Sequence, residues 1–315
     1  MTYALDPEIA TVLAAVLEQS ANLPVVERGD WKTLRERGNI GQAYLASLAV
    51  PFPDVQMASF STTTQDSTLI ELRWYTRQDT LPGSTVVYTH GGGMILGTLD
   101  TYNAIVSAYV NATGVPFLAV NYRLAPEVHG TTLAEDAFTG VTWLLAHASQ
   151  LGVDRHRIAI MGDSGGGGVA AGATILARER QIALAHQILI YPMLDDRNLV
   201  PNPLLTPFAT WTYEQNETAW NAVLDGKQGS ESVSPIAAPA RLTDPKSLAP
   251  AYIEVGDLDI FRDEDIAYAQ LLARAGIPVE LHVHPGVPHG FERFAPHSKV
   301  ARRAMDDRIR VIQSL

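Results

Sequence analysis

A serine stands among glycines in RIAIMGDSGGGGVAAG, residues 157–172. The apolar run from Ile158 to Met161 reads as a strand and the small-residue segment after Ser164 as a helix, so Gly162-Asp163-Ser164-Gly165-Gly166 is a G-x-S-x-G turn between the two. Turning a strand straight into a helix forces the central residue into a sterically poor backbone conformation. It also brings strand and helix so close that the positions two before and two after must be tiny. The turn pushes the hydroxyl into the open, in front of the unpaired N–H groups of a helix N-terminus. A serine hydroxyl at neutral pH is a weak nucleophile. It needs a base, the base needs an orienting acid, and the oxyanion formed on attack needs donors.

Each of these has a counterpart elsewhere in the chain. VVYTHGGGMILG carries His90-Gly91-Gly92-Gly93 after an earlier strand, and glycines there leave backbone N–H groups bare. A further N–H is expected from Gly165, directly after the serine. The base is expected late in the chain, in a loop after a strand. His282 and His284 lie within strand-like VELHVH and His297 follows Pro296 at a helix start, whereas His289 lies in the loop GVPHGF. Asp257, Asp259, Asp263 and Glu264 crowd the end of the preceding strand, and spacing favours Asp257 or Asp259 as the acid. The chain order is then Ser, Asp, His.

These groups must be held by something. Asp6 and Pro7 open an N-terminal helix with an apolar stripe from Ile9 to Leu17, and a looser, charged stretch follows. Residues 55–64 and 68–77 read as an antiparallel strand pair. Strands are then expected at 84–90, 116–123, 157–164, 186–194, 250–259 and 279–286. Helices start near Leu133, after Ser164, around EDIAYAQLLARAG with Gly276 as a stop, and through Ala304 to Ile312 at the end. Alternating short apolar strands and helices imply a mostly parallel sheet covered on both faces. Residues 196–235 break this rhythm with a long insert bearing Phe208, Trp211, Tyr213 and Trp220. Long insertions of this kind are usually lids or binding elements. The expected division is therefore a core of 50–195 and 236–315, with 1–49 and 196–235 as a helical cap.

Composition narrows the function. The chain has 315 residues, 46% of them hydrophobic, and a net charge of −11, which argues against nucleic acid as a partner. With no cysteine, thiolate catalysis and cysteine-based zinc sites are excluded. No run of about 18 apolar residues exists to span a bilayer, so no stable membrane association is expected. No Lys or Arg precedes Arg28, as a signal peptide would require, which makes the cytoplasm the expected location. A dinucleotide reading of Gly166-x-Gly168-x-x-Ala171 fails because the strand ends before Ser164. A metal pair at His282 and His284 lacks a third ligand. No cofactor or metal is called for.

The same residues resemble the hormone-sensitive-lipase branch of the α/β-hydrolases, the bacterial carboxylesterases with an HGGG loop. HGGG (90–93), NYRLAPE (121–127) with EDA (135–137), GDSGGG (162–167), and DIFRDE (259–264) with HGF (289–291) match in order, and YPMLD (191–195) is similar too. The resemblance covers nearly the whole chain. It implies an α/β-hydrolase fold with an eight-stranded sheet, Ser164 as nucleophile, His289 as general base and Asp259 as the triad acid. It places the oxyanion hole at Gly92, Gly93 and Gly165. Three departures stand out: Gly165 replaces the usual alanine and makes the turn looser, Ile260-Phe261 replaces Pro-Leu, and Met94 replaces an aromatic after the glycines. The expected activity is hydrolysis of short- to medium-chain neutral esters through an acyl-enzyme, with a small-molecule ester as substrate; a homo-oligomer is left open. Amidase action shares the chemistry. A catalytically silent ligand receptor on the same fold would be expected to have lost the histidine, and here it is kept.

Overall fold

The computed structural model describes residues 3–20, 26–78 and 83–315. β1 (Val55–Thr63) and β2 (Leu69–Arg77) pair antiparallel. β3 (Thr85–Thr89), β4 (Phe117–Val120), β5 (Ile158–Asp163), β6 (His186–Ile190), β7 (Ala251–Gly256) and β8 (Val279–His284) complete one sheet in the order β1-β2-β4-β3-β5-β6-β7-β8. β2 is antiparallel to both neighbours, and every other pairing among the described residues is parallel. The eight strands stand where the apolar runs place them, and the mostly parallel sheet is as expected.

Helices cover both faces, and this is why β3, β5 and β7 are buried along their whole length. Val86 and Tyr88 point to the face covered by α3 (Leu99–Thr113) and α9 (Lys299–Gln313). Val87 points to the other, which carries α4 (Thr132–Leu151), α5 (Gly165–Glu179) and α7 (Arg262–Arg274). The period-2 alternation of a strand thus feeds two separate apolar layers.

α1 (Pro7–Ser20) begins where the sequence places it, with Asp6 Oδ1 accepting from Glu8 N at 2.8 Å. The side chain of Leu17, in its expected stripe, lies outside the described residues. Ile9 is fully buried against Val287 and Phe291, so α1 braces the segment after β8. The stretch that reads as loose and charged is in fact a helix, α2 (Trp31–Ser47), capped by Asp30 on Thr33 N at 3.0 Å. Its apolar face is too thin to leave a period in the sequence, since Leu34 and Gln42 are its buried residues. Specific tertiary bonds hold it instead: Arg35 donates to the carbonyls of Ile95 and Ala125, and Asn39 accepts from Gly97 N. α2 therefore lies on the loop after β3.

Within 196–235 the chain makes a short 3-10 turn, Thr206–Phe208, and α6 (Tyr213–Val223), opened by a Thr212–Gln215 capping box. α6 meets the start of the α2 region through Gly29 N to Thr218 Oγ1 (2.9 Å) and an Arg28–Glu217 ion pair. No described helix is long and apolar enough to cross a membrane.

Candidate active site

Ser164 sits at φ 56°, ψ −123°, between β5 and α5. Its backbone is pinned: Ser164 N donates to Ile190 O (2.8 Å), and its carbonyl accepts from Met193 N (3.0 Å). A serine in this N-cap position usually bonds its own helix through the side chain, but here no such bond forms and the hydroxyl is left for another partner. Strand and helix are in contact at the glycines. A Cβ on Gly162 would lie 2.2 Å from Gly166 O, and one on Gly166 would lie 2.2 Å from Thr89 O.

The partner is His289. Its Nε2 is 2.8 Å from Ser164 Oγ, and its Nδ1 is 2.6 Å from Asp259 Oδ2. A proton on Nδ1 donates to the carboxylate and leaves Nε2 to accept from the serine. The second oxygen of Asp259 accepts from Phe261 N at 3.0 Å, and the residue is 1% exposed. The rings of Phe261 and Tyr191 stand edge-on to the imidazole at 5.1 and 4.7 Å, fixing its plane. The two acids that spacing leaves open divide their work: Asp259 meets the imidazole, while Asp257 accepts from Gly286 N at 2.6 Å and ties down the start of the histidine loop. The other histidines are elsewhere. His282 bonds Glu280, beside Arg310 and Asp307, in a surface ion-pair cluster, and His284 is buried 3.8 Å from Glu254.

Gly92 and Gly93 adopt φ 121° and 57°, a region that glycine favours. Their N–H groups, and that of Gly165, donate to no acceptor among the described residues. The loop is held rigid by Ile95 N and Leu96 N, which both donate to Gly92 O at 3.1 Å. It also lies tightly on the helix start: a Cβ on Gly165 would be 2.5 Å from Met94 N and 2.8 Å from Gly93 N. The glycine loop thus occupies the space that an alanine Cβ at 165 would need. His90 Nδ1 meets Gly91 O at 2.9 Å, and its ring stacks on Tyr122 at 4.6 Å. Burial depresses the His90 imidazole to about 4, so it is a neutral structural brace.

Three contacts around the site are set by tertiary placement, and the sequence does not assign them. Thr210 Oγ1 donates to His289 O at 2.7 Å. Trp211 lays its benzo edge on the glycine loop after β3, with Cη2 and Cζ2 2.7 Å from where a Cβ of Gly93 would stand. Beneath the serine, Asp163 is buried and takes a hydrogen bond from Tyr88; burial pushes its carboxyl up. Arg123 forks onto buried Asp136, and Glu127 pairs with Arg35.

Residues 86–293 match the family described as having the alpha/beta hydrolase fold. An ethyl acetate hydrolase of Pseudomonas putida is 32% identical over 272 residues, covering 82% of each chain. An esterase of Mycobacterium tuberculosis, LipI, is 34% identical over 69% of this chain and 68% of its own. Among solved structures, a bacterial heroin esterase superposes with a TM-score of 0.90 at 31% identity, covering 99% of this chain and 98% of its own.

Proposed function

The chain belongs to the α/β-hydrolase fold family and is a carboxylic ester hydrolase, and we propose that it works through an acyl-enzyme on Ser164. The observation that carries this reading is the unbroken run Asp259–His289–Ser164, with the unpaired N–H groups of Gly92, Gly93 and Gly165 beside it. His289 Nε2 takes the hydroxyl proton as Oγ attacks the ester carbonyl. The three N–H groups bind the oxyanion, whose charge develops at a helix N-terminus. Collapse breaks the bond to the alcohol oxygen, and His289 returns its proton to that leaving group. Water then repeats the sequence and releases the acid. Asp259 holds the imidazole in the working tautomer and steadies its charge.

In this reading residues 50–195 and 236–315 are the catalytic core, and 1–49 with 196–235 form the cap. The aromatic edge of Trp211 over the oxyanion loop supports short- to medium-chain neutral esters, and the ethyl acetate relative agrees with that size. The enzyme acts in the cytoplasm on small molecules, without nucleic acid or stable membrane contact.

The test is covalent labelling by an organophosphate beside hydrolysis of a C2 to C16 ester series and matching anilides. Label on Ser164, lost in Ser164→Ala together with about 10⁶ in kcat, is the expected result. Near-normal ester hydrolysis by that variant would overturn it, and anilides cleaved as well as esters would make the enzyme an amidase.

A further inference from the structure

A cavity of about 560 Å³ lies between the C-terminal end of α2 with the loop after it, α3, the short helix α8 (Phe291–Phe294) and α9. Neither the triad nor an oxyanion glycine lines it. Its walls are apolar, among them Leu45, Phe52, Ile105, Phe294 and Met305, and its rim carries Leu48 and Val50, 63% and 73% exposed. Its volume is ordinary for a small-molecule site.

Three charged side chains lie along it: Glu292, Arg293 and Arg308. Arg308 is fully engaged, with Nε and Nη2 on Glu254 and Nη1 on Tyr109 and Glu292. Glu292 gives Oε1 to Arg308 and Tyr191, and its Oε2 is sealed from solvent. Arg293 differs. It stacks its guanidinium on the Tyr102 ring at 4.4 Å, donates Nη1 to Tyr102 Oη, and makes no ion pair among the described residues. Its Nε and Nη2 donate to no described acceptor, and its charge is felt by buried Asp163 without a direct ion pair. A guanidinium with two spare donors, set along an apolar slot, has the shape and charge for a carboxylate.

We propose that this cavity is a second binding site, which takes an amphipathic monocarboxylate with its head on Arg293 and its chain along the α2–α3–α9 walls. The site stands apart from the role of Ser164. The reading of Ser164 adds one thing: ester hydrolysis releases acids of this class, so the site would sense product.

Calorimetric titration of octanoate into the wild-type protein and Ser164→Ala tests it, with 1-octanol and acetate as controls. One octanoate site is expected, unchanged by Ser164→Ala. It should weaken ten- to hundredfold in Arg293→Gln, the usual effect of losing a charged hydrogen-bond partner. It should vanish in Ala104→Trp, which fills the cavity from α3. Octanol and acetate should each bind at least tenfold more weakly. Thermal melts show whether each variant folds, and Arg293→Lys, which keeps the charge, should retain more affinity than Arg293→Gln. Octanoate binding that survives both Arg293→Gln and Ala104→Trp would overturn the proposal, as would octanol binding as tightly as octanoate or no binding at millimolar octanoate.

Discussion

The hydroxyl of Thr210 donates to the backbone carbonyl of His289 across 2.7 Å, so the insert between β6 and β7 holds the loop that carries the imidazole. Thr210→Val keeps the shape and deletes the bond. A single neutral hydrogen bond is worth about 0.5–1.5 kcal/mol, so kcat should fall two- to tenfold, and Thr210→Ser should restore it. Steady-state rates on a short-chain chromogenic ester decide this. An unchanged kcat in the valine variant would mean that the Asp257–Gly286 bond alone sets the loop.

The two neighbouring aspartates make a sharp comparison. Asp259→Asn offers the imidazole an amide in place of a carboxylate, which selects the wrong tautomer and should lower kcat by about 10⁴. Asp257→Asn still presents an oxygen to Gly286 N and should cost less than about tenfold. Reversal of that ranking in kcat would move the acid to Asp257.

Much of this was legible in the residues. The eight strands follow from apolar runs bounded by turn residues, and Gly162 and Gly166 are needed because strand and helix touch there. The elbow, the glycine loop and the late histidine could be found because each demands the next. Spacing could not separate Asp257 from Asp259, since both closely follow β7 and both face the histidine loop; the resemblance chose, and the geometry shows what each one holds. α2 left no trace because its contacts are polar and long-range, as between Arg35 and the carbonyl of Ala125. The same holds for Trp211 and Thr210. Their roles come from where an irregular segment is laid down, which no local period encodes.

Asp265 is fully buried, and neither of its carboxylate oxygens has a partner. Burial, followed by the charges of Glu264 and Asp259, pushes its carboxyl well above the usual range. The folded protein therefore keeps this proton at pH values where the unfolded chain has lost it. The associated stability is present below the unfolded value, near 3.8, and is lost as pH rises towards the folded one. Asp265→Asn cannot ionise. Its stability relative to wild type should grow by about 1.4 kcal/mol per pH unit across that window. Urea melts of both proteins at pH 5, 6, 7 and 8 measure the gap, and a constant gap would show that Asp265 is ionised and paired throughout.

We predict that Trp211 limits acyl size by volume alone. Its indole Nε1 is buried without a partner, so no hydrogen bond holds the ring where it lies, and its benzo edge contacts Gly93 itself. Ala219 Cβ closes the same corner, 3.4 Å from the Gly93 Cβ position. Removing the ring opens space beside Gly93, where the proposed mechanism puts the reacting carbonyl. Each methylene accommodated in an apolar pocket is worth about 1–3 kcal/mol of discrimination. Trp211→Ala should therefore raise kcat/KM for hexanoate relative to acetate esters at least tenfold, and Trp211→Phe should fall between it and wild type. The absolute rate on acetate should drop, because a small acyl group left in a large space loses its orientation against Ser164. If the hexanoate-to-acetate ratio stays constant across the three proteins, the acyl chain runs away from Trp211.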